Sequence, residues 1–322
     1  MSGVNQPLLP VRLEGKLGYI DKTGKLVISP RFDWAAPFTG RLARAAPGDK
    51  IGFIDQAGTF VIPPLFEWAE DFSEGLACVD NEEEKWGFIE QEGNQIIHCQ
   101  YDAAGSFSAG LAYVGIWDKT KKGHKYKYGF VDKTGKLVIP FQFDSCRCFS
   151  ENLAAVKLNG KWGYIDKTGQ FVIEPRFQTA WDFVEGLAKV IRLDKKCGYI
   201  NQAGQLVIYP LNFLCHERFS EGLAGVMIGD EWGDWGYIDK VGQFVLKPQY
   251  HGAEPFSEGL AAVCINDKYG YIDHSGRVVI PFQFDAAYQF IDGIAQVKVG
   301  VDADEKTGYI DNSGRFIWVP TA

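Results

Sequence analysis

Short apolar runs alternate with glycine-centred polar turns along almost the whole chain, and the alternation is periodic. A tetrapeptide of glycine, aromatic, aliphatic and acidic or amide residue occurs nine times, at Gly18-Tyr19-Ile20-Asp21, Gly52-Phe53-Ile54-Asp55, Gly87-Phe88-Ile89-Glu90, Gly129-Phe130-Val131-Asp132, Gly163-Tyr164-Ile165-Asp166, Gly198-Tyr199-Ile200-Asn201, Gly236-Tyr237-Ile238-Asp239, Gly270-Tyr271-Ile272-Asp273 and Gly308-Tyr309-Ile310-Asp311. A self-similarity of about 35 residues marks one structural unit used repeatedly. Each tetrapeptide reads as a strand, because side chains alternate between faces: Trp162 and Tyr164 take one, Gly163 and Ile165 the other. A Leu-Ala-x-Val-like strand precedes it, as in Leu153-Ala154-Ala155-Val156, and an aliphatic strand follows, as in Leu137-Val138-Ile139-Pro140. A Phe-Asp step such as Phe143-Asp144 then leads to a Phe-Ser-Glu-Gly-like turn, which predicts three firm strands and a weaker fourth.

Turn chemistry supports the strands. Asp21 with Gly24, and Asp166 with Gly169, suit the ends of a tight turn, aspartate capping the backbone two residues on and glycine accepting positive φ. Hairpins are therefore the elementary element. Proline follows the aliphatic strand at Pro30, Pro63, Pro140, Pro175, Pro210, Pro248, Pro281 and Pro320, and its missing N–H predicts that the strand ends there.

A unit of about 35 residues cannot bury both its faces alone, so each small sheet needs a neighbour, with aromatic faces lying over glycine faces of the next copy. Alanine one place into the Leu-Ala strand, as at Ala43, Ala77, Ala154 and Ala261, predicts that this strand lies where sheets crowd. The expected fold is all-β: a tandem array of nine three-to-four-stranded antiparallel units with propeller-like packing, an open β superhelix or solenoid being the alternative. Residues 1–7 form an N-terminal extension, and 8–322 a single repeat domain with units starting near 8, 42, 76, 111, 153, 187, 223, 260 and 294.

Composition narrows the function classes. With 322 residues, 46% hydrophobic and 23% charged, the chain has ample core-forming side chains and is not a disordered segment. Lysine plus arginine (33) trail aspartate plus glutamate (41), for a net charge of -8, which disfavours nucleic acid and anionic membrane surfaces. No apolar run is long enough for membrane insertion, and Met1–Pro10 lacks a basic segment leading into an apolar one, so a cytoplasmic location is expected. Seven scattered cysteines read as reduced, packed thiols.

The run Lys161-Trp162-Gly163-Tyr164-Ile165-Asp166-Lys167-Thr168-Gly169, with Pro175-Arg176-Phe177 and Glu185-Gly186-Leu187-Ala188, resembles the bacterial WG (KWG) repeat family over residues 8–320. At the tetrapeptide slot Trp-Gly stands only at Trp86-Gly87, Trp162-Gly163 and Trp235-Gly236; the slot elsewhere holds Leu17, Ile51, Tyr128, Cys197, Tyr269 or Thr307. The resemblance implies an all-β repeat module with a binding or scaffolding role and supplies no catalytic residues.

Chemistry must therefore be sought in departures from the repeat. Carboxylates in the Asp-x-x-Gly turns, and at Asp33, Glu67, Asp102, Asp144 and Asp285, recur in many units; a catalytic acid is needed once, so these are expected to be structural caps. Cys146 and Cys148 lack a second metal-ligand pair, and His98, His124, His216, His251 and His274 are dispersed, with only His216 and His251 in nearly equivalent slots. No phosphate-cradling glycine motif occurs. No cofactor, metal or catalytic site is expected, and the chain reads as no enzyme.

Two off-pattern features remain. The excursion Gly115–Tyr128 carries Trp117, Lys119, Lys121, Lys122, Lys125 and Tyr126, able to grip an acidic partner by charge and stacking or to form merely a solvated hairpin. Trp34 and Trp68 fill the same slot in consecutive units, and Trp181 and Trp232 also lie off the repeat's tryptophan position; such residues suit a peptide groove or sugar faces, unless they are core. The expected function is a non-catalytic scaffold binding another protein through loops and off-pattern aromatics. A carbohydrate-binding, lectin-like array is the alternative, and an enzyme with a site assembled across units a third reading.

Overall fold

The computed structural model describes residues 8–118, 125–209, 213–215, 217–229, 233–300 and 306–319. Every regular element among them is a strand, and the strands form nine small antiparallel sheets of three or four strands each. The chain divides into two compact units, Met1–Asp182 and Phe183–Ala322.

The fifth sheet represents the pattern. Ser145–Ser150, Leu153–Leu158, Lys161–Ile165 and Phe171–Phe177 pair antiparallel in chain order. The weak strand thus leads its sheet: Trp34–Ala35 pairs with Ala43–Ala46, and Ala286–Ala287 with Ile294–Val299. In the third sheet this strand shrinks to a single bridge, Ala69 to Val79.

Consecutive sheets pack face to face within each unit, as the propeller-like expectation requires. In the first unit Tyr19, Ile28 and Phe32 of one sheet meet Ala35, Ala43, Ala45 and Ile54 of the next. In the second, Tyr271, Ile280 and Phe284 meet Ala287, Ala295, Val297 and Ile310. The small side chains let the sheets approach, and the large ones fill the gap. The buried tyrosine hydroxyls are satisfied: Tyr19 donates to the carbonyl of Ala36 at 2.7 Å, Tyr164 to that of Trp181 at 2.7 Å, and Tyr271 to that of Tyr288 at 2.8 Å.

Two expectations change. The strands do not end at proline: Leu26–Phe32, Phe171–Phe177 and Val278–Phe284 run through Pro30, Pro175 and Pro281. They are edge strands, and they bulge there, Tyr164 pairing with Ile173 but Trp162 with Phe177. A residue without an N–H is tolerated where the ladder is interrupted. The glycine of the tetrapeptide is likewise required by its own sheet rather than by the neighbouring copy. A Cβ on Gly163 would lie 2.5 Å from the carbonyl oxygen of Ile173 and 2.7 Å from the nitrogen of Pro175. The glycine that does face the neighbour is that of the turn: a Cβ on Gly169 would meet Ile139 of the preceding sheet at 3.1 Å.

Consecutive sheets are also clamped at the Phe-Ser-Glu-Gly-like turns. Ser257 Oγ donates to the carbonyl of Phe290 at 2.6 Å, and Ser108 Oγ to that of Phe149 at 2.6 Å. The next glutamate accepts the amide of a glycine one copy along: Gly222 donates to Glu185 at 3.0 Å and Gly293 to Glu258 at 2.8 Å. Glu185 and Glu258 sit at φ 53 and 54, a left-handed conformation that favours glycine or asparagine. Their reach to the neighbouring sheet explains why glutamate stands there.

Cys78, Cys99, Cys146, Cys148 and Cys264 are free thiols, but Cys197 is disulfide-bonded, which departs from the expectation of reduced thiols throughout. Bonding depends on which strands are neighbours, a relation that cysteine spacing along the chain does not carry.

Candidate functional site

The recurring carboxylates are caps and ion-pair partners. Asp166 Oδ1 accepts from the amide of Thr168 at 2.8 Å and its hydroxyl at 2.6 Å, and these bonds hold its pKa below the ordinary value. The post-aromatic acids pair with the lysine two places before the tetrapeptide glycine: Lys16 with Asp33 at 2.5 Å, Lys50 with Glu67 at 3.3 Å, Lys127 with Asp144 at 2.7 Å and Lys268 with Asp285 at 2.6 Å, Lys85 with Asp102 completing the series. Such recurrence is scaffold chemistry.

Cys146 and Cys148 flank Arg147, whose guanidinium lies 5.7 Å from the ring of Trp162 and 5.8 Å from that of Trp181, with Nε donating to the carbonyl of Ala180 at 3.0 Å. That engages the off-pattern Trp181 as a packing element. Burial pushes the Cys148 thiol up to about 11, so it is protonated at neutral pH and a poor nucleophile. Among the described residues no group of three or more His, Cys, Asp or Glu is placed to hold a metal ion, and no helix is long and apolar enough to cross a membrane.

The feature that the scaffold does not explain lies in the first unit. In the leading strand the slot opposite the Leu-Ala-x-Val strand holds a small residue in most sheets: Ala103 faces Gly115, Ser145 faces Lys157, Gly252 faces Cys264 and Ala286 faces Lys298. In the second sheet it holds Trp34, opposite Ala46, and in the third Trp68, whose carbonyl accepts from the amide of Asp80 at 3.2 Å. Both indoles stay in solvent, 41% exposed at Trp34 and 53% at Trp68. They line one concavity of about 280 Å³ with Arg44, Ala46, Gly48, Asp49, Ile51 and Glu67. The structure thus brings together in one concavity the two residues that the repeat comparison paired by slot.

Internal hydrogen bonds fix the walls of this pocket. The Asp80 carboxylate, only 8% exposed, accepts the amides of Glu67 at 3.1 Å and Trp68 at 2.9 Å, fixing the segment that carries the second indole. Trp68 Nε1 donates to Glu70 at 3.3 Å. Arg44 lies 5.4 Å from the Trp34 ring, donates from Nε to Asp71 at 2.7 Å and from Nη1 to the carbonyl of Ala69 at 2.6 Å. Preorganised aromatic walls with a few fixed polar groups are the usual construction of a small binding site.

Of the other candidates, Trp117 and Tyr126 face each other across the long hairpin, rings 4.6 Å apart and edge-on, and Tyr126 continues to Tyr128 at 6.0 Å. The Trp117 amide donates to Asp102 at 2.7 Å. This pair stiffens the hairpin and is separate from the pocket. Lys119, Lys121, Lys122 and Trp232 lie outside the described residues, as do His124, His216 and the side chain of Lys125. Arg44, Asp49 and Asp80 were not singled out from the sequence. Their signals are present: Arg44 interrupts Leu42-Ala43-x-Ala45, and Asp80 is a charge ending the apolar run Leu76-Ala77-Cys78-Val79.

Residues 18–45, 51–83, 86–116, 128–162, 162–197, 198–232, 235–269 and 269–300 each match the WG containing repeat. The chain belongs to that family. The ninth WG-like copy, at Gly308-Tyr309-Ile310-Asp311, lies beyond these matches and forms a sheet of the same kind from Ile294–Val299, Lys306–Asp311 and Phe316–Trp318. No curated protein matches the sequence. A crystal structure described as the eukaryotic initiation factor is similar in fold, with a TM-score of 0.68 at 10% identity, over 97% of this chain and 95% of that one. The crystal structure of BamB from Moraxella catarrhalis aligns over 97% of this chain and 93% of its own at 11% identity and a TM-score of 0.45. At such identities the likeness concerns fold alone.

Proposed function

We propose that this WG-repeat protein is a non-catalytic interaction scaffold that docks a segment of another protein at the Trp34–Trp68 pocket. One observation carries the reading: two indoles occupy, in consecutive sheets, a slot that small residues fill in most other sheets, and both face solvent in one concavity. Solvent-exposed indoles add little to the core, yet the segment that carries Trp68 is fixed by a buried carboxylate, and tryptophan is among the side chains most enriched at binding hot spots. The aromatic Trp117–Tyr126 hairpin, separate from the pocket, is a second surface for a partner in this reading.

Selection of a displayed random-peptide library against the whole protein tests this. Recovered peptides should bind the native protein and lose binding to Trp34→Ala and Trp68→Ala, both checked for an unchanged circular dichroism melt. Peptides that bind all three proteins equally would overturn the pocket's role. Exposed tryptophan beside carboxylates also suits a sugar ring, so a glycan array probed with the same proteins is the companion experiment. Glycan binding that Trp68→Ala abolishes, with no peptide recovered, would replace the protein partner by a carbohydrate.

A further inference from the structure

The charge and hydrogen-bonding state of the pocket say more than its shape. Three donors in or beside it are committed within the protein: Arg44 Nε to Asp71, Arg44 Nη1 to the carbonyl of Ala69, and Trp68 Nε1 to Glu70. The ion pair with Asp71 also balances the charge of Arg44. The lining carboxylates are placed differently. Asp49 sits in the loop between Ala43–Ala46 and Ile51–Ile54. The Glu67 side chain, 64% exposed, pairs with Lys50 at 3.3 Å. An exposed pair of that length is worth little and yields readily to a competing cation. What the pocket offers a ligand is two indole faces and two carboxylates, on a chain of net charge -8.

Resting on the reading that this pocket docks a protein segment, we propose that its occupant is a cationic side chain, arginine before lysine, from a basic segment of the partner. A guanidinium carries donors and no acceptor, which matches carboxylates whose neighbouring donors are already engaged. Its flat apolar faces stack on indole, and Arg44 over Trp34 shows that these rings accept one. The volume, about 280 Å³, suits one long side chain. An acidic or phosphorylated segment is excluded by the same two carboxylates.

The probe is the blocked tripeptide acetyl-Gly-Arg-Gly-amide, compared with its citrulline, lysine and glutamate counterparts by NMR of the indole N–H resonances, Trp34→Phe and Trp68→Phe supplying the assignments. Citrulline keeps the shape and removes the charge. The expected result is saturable shifts of the Trp34 and Trp68 signals with the arginine peptide, at least a tenfold weaker response with citrulline, none with glutamate, and a comparable loss in the Asp49→Asn, Glu67→Gln double variant. Equal binding of arginine and citrulline, or an unchanged affinity in the double variant, overturns the cation and leaves the peptide pocket standing, since peptides recovered by selection would still depend on Trp68. No response to any tripeptide, with library peptides that lack an enriched basic residue, also overturns the cation. Glycan binding lost in Trp68→Ala, with no peptide recovered, overturns the protein-docking reading itself.

Discussion

The backbone of Ile173 passes so close to Gly163 that a Cβ on the glycine would sit 2.5 Å from the Ile173 carbonyl oxygen. The same approach recurs at Gly52 to Ile62, at 2.6 Å, and at Gly236 to Leu246, at 2.6 Å. It arises because the outer strand bulges over the glycine, two residues of one strand spanning four of the other. The obstacle is main chain, which cannot rotate aside. Gly163→Ala should therefore destabilise by about 3 kcal/mol, the upper end for overpacking, and Gly163→Val by at least as much. Urea denaturation measures this. A cost near zero for alanine would mean that the outer strand slides freely.

Glu185 combines a strained backbone with a bond to the next sheet. Its φ of 53 favours asparagine, which lacks the length to accept the Gly222 amide at 3.0 Å or to pair with Lys240 at 3.0 Å. A hydrogen bond to a charged group contributes about 1.5–3 kcal/mol, and relief of the left-handed strain returns about 1 kcal/mol. Glu185→Asn should thus lose about 1 kcal/mol in thermal or chemical unfolding, with faster hydrogen exchange at the Gly222 amide. A stabilised variant would show that strain dominates and that the clamp is weak.

Strands and turns were readable because their signals are local: side-chain alternation around Tyr164 and Ile165, and aspartate with glycine at Asp166 and Gly169. The role of Gly163 was not, since it depends on a bulge in a different strand. Nor was the order of strands, because two-residue elements such as Ala103–Ala104 have no periodicity and become strands only by pairing with Gly115 and Val114 across the sheet. At the site, Trp34 and Trp68 stood out once copies were compared. Arg44, Asp49 and Asp80 occur once each, and their relation to the indoles exists only after folding.

Acid should weaken the capped carboxylates in a defined window. The hydrogen bond from Lys268 chiefly, and then that from the Gly300 amide, lower the pKa of Asp285 from its ordinary 3.8. A depressed carboxylate contributes its full stability above the unfolded value, near pH 4, and loses it as pH falls through the lower folded value. Asp285→Asn should therefore be less stable than the native protein at pH 6 and converge on it as the pH falls under 3.8 and through the lowered folded value. Lys268→Ala should follow the same course, whereas Lys161→Ala, whose counterpart position holds Gln178, should be nearly silent. Parallel stability curves for Asp285→Asn and native protein across this range would refute the assignment.

Asp80 is the point at which fold and candidate site are joined. Its carboxylate is buried at the end of the strand Ala77–Asp80 and accepts two consecutive amides, of Glu67 and Trp68. Replacing it by alanine leaves both amides without their acceptor, a loss of about 2 kcal/mol where the groups stay shielded from water. If the segment instead swings outward to hydrate them, the cost in stability falls and the pocket opens. The two outcomes separate in one experiment: Asp80→Ala should lower the unfolding midpoint and broaden the Trp68 indole resonance while leaving those of the second unit, such as Trp235, unchanged. Asp80→Asn, which keeps one carbonyl acceptor, should recover most of both effects. A variant with a native midpoint and a native Trp68 signal would mean that the indole is held by its Glu70 bond alone, and that the buried carboxylate has no part in shaping the pocket.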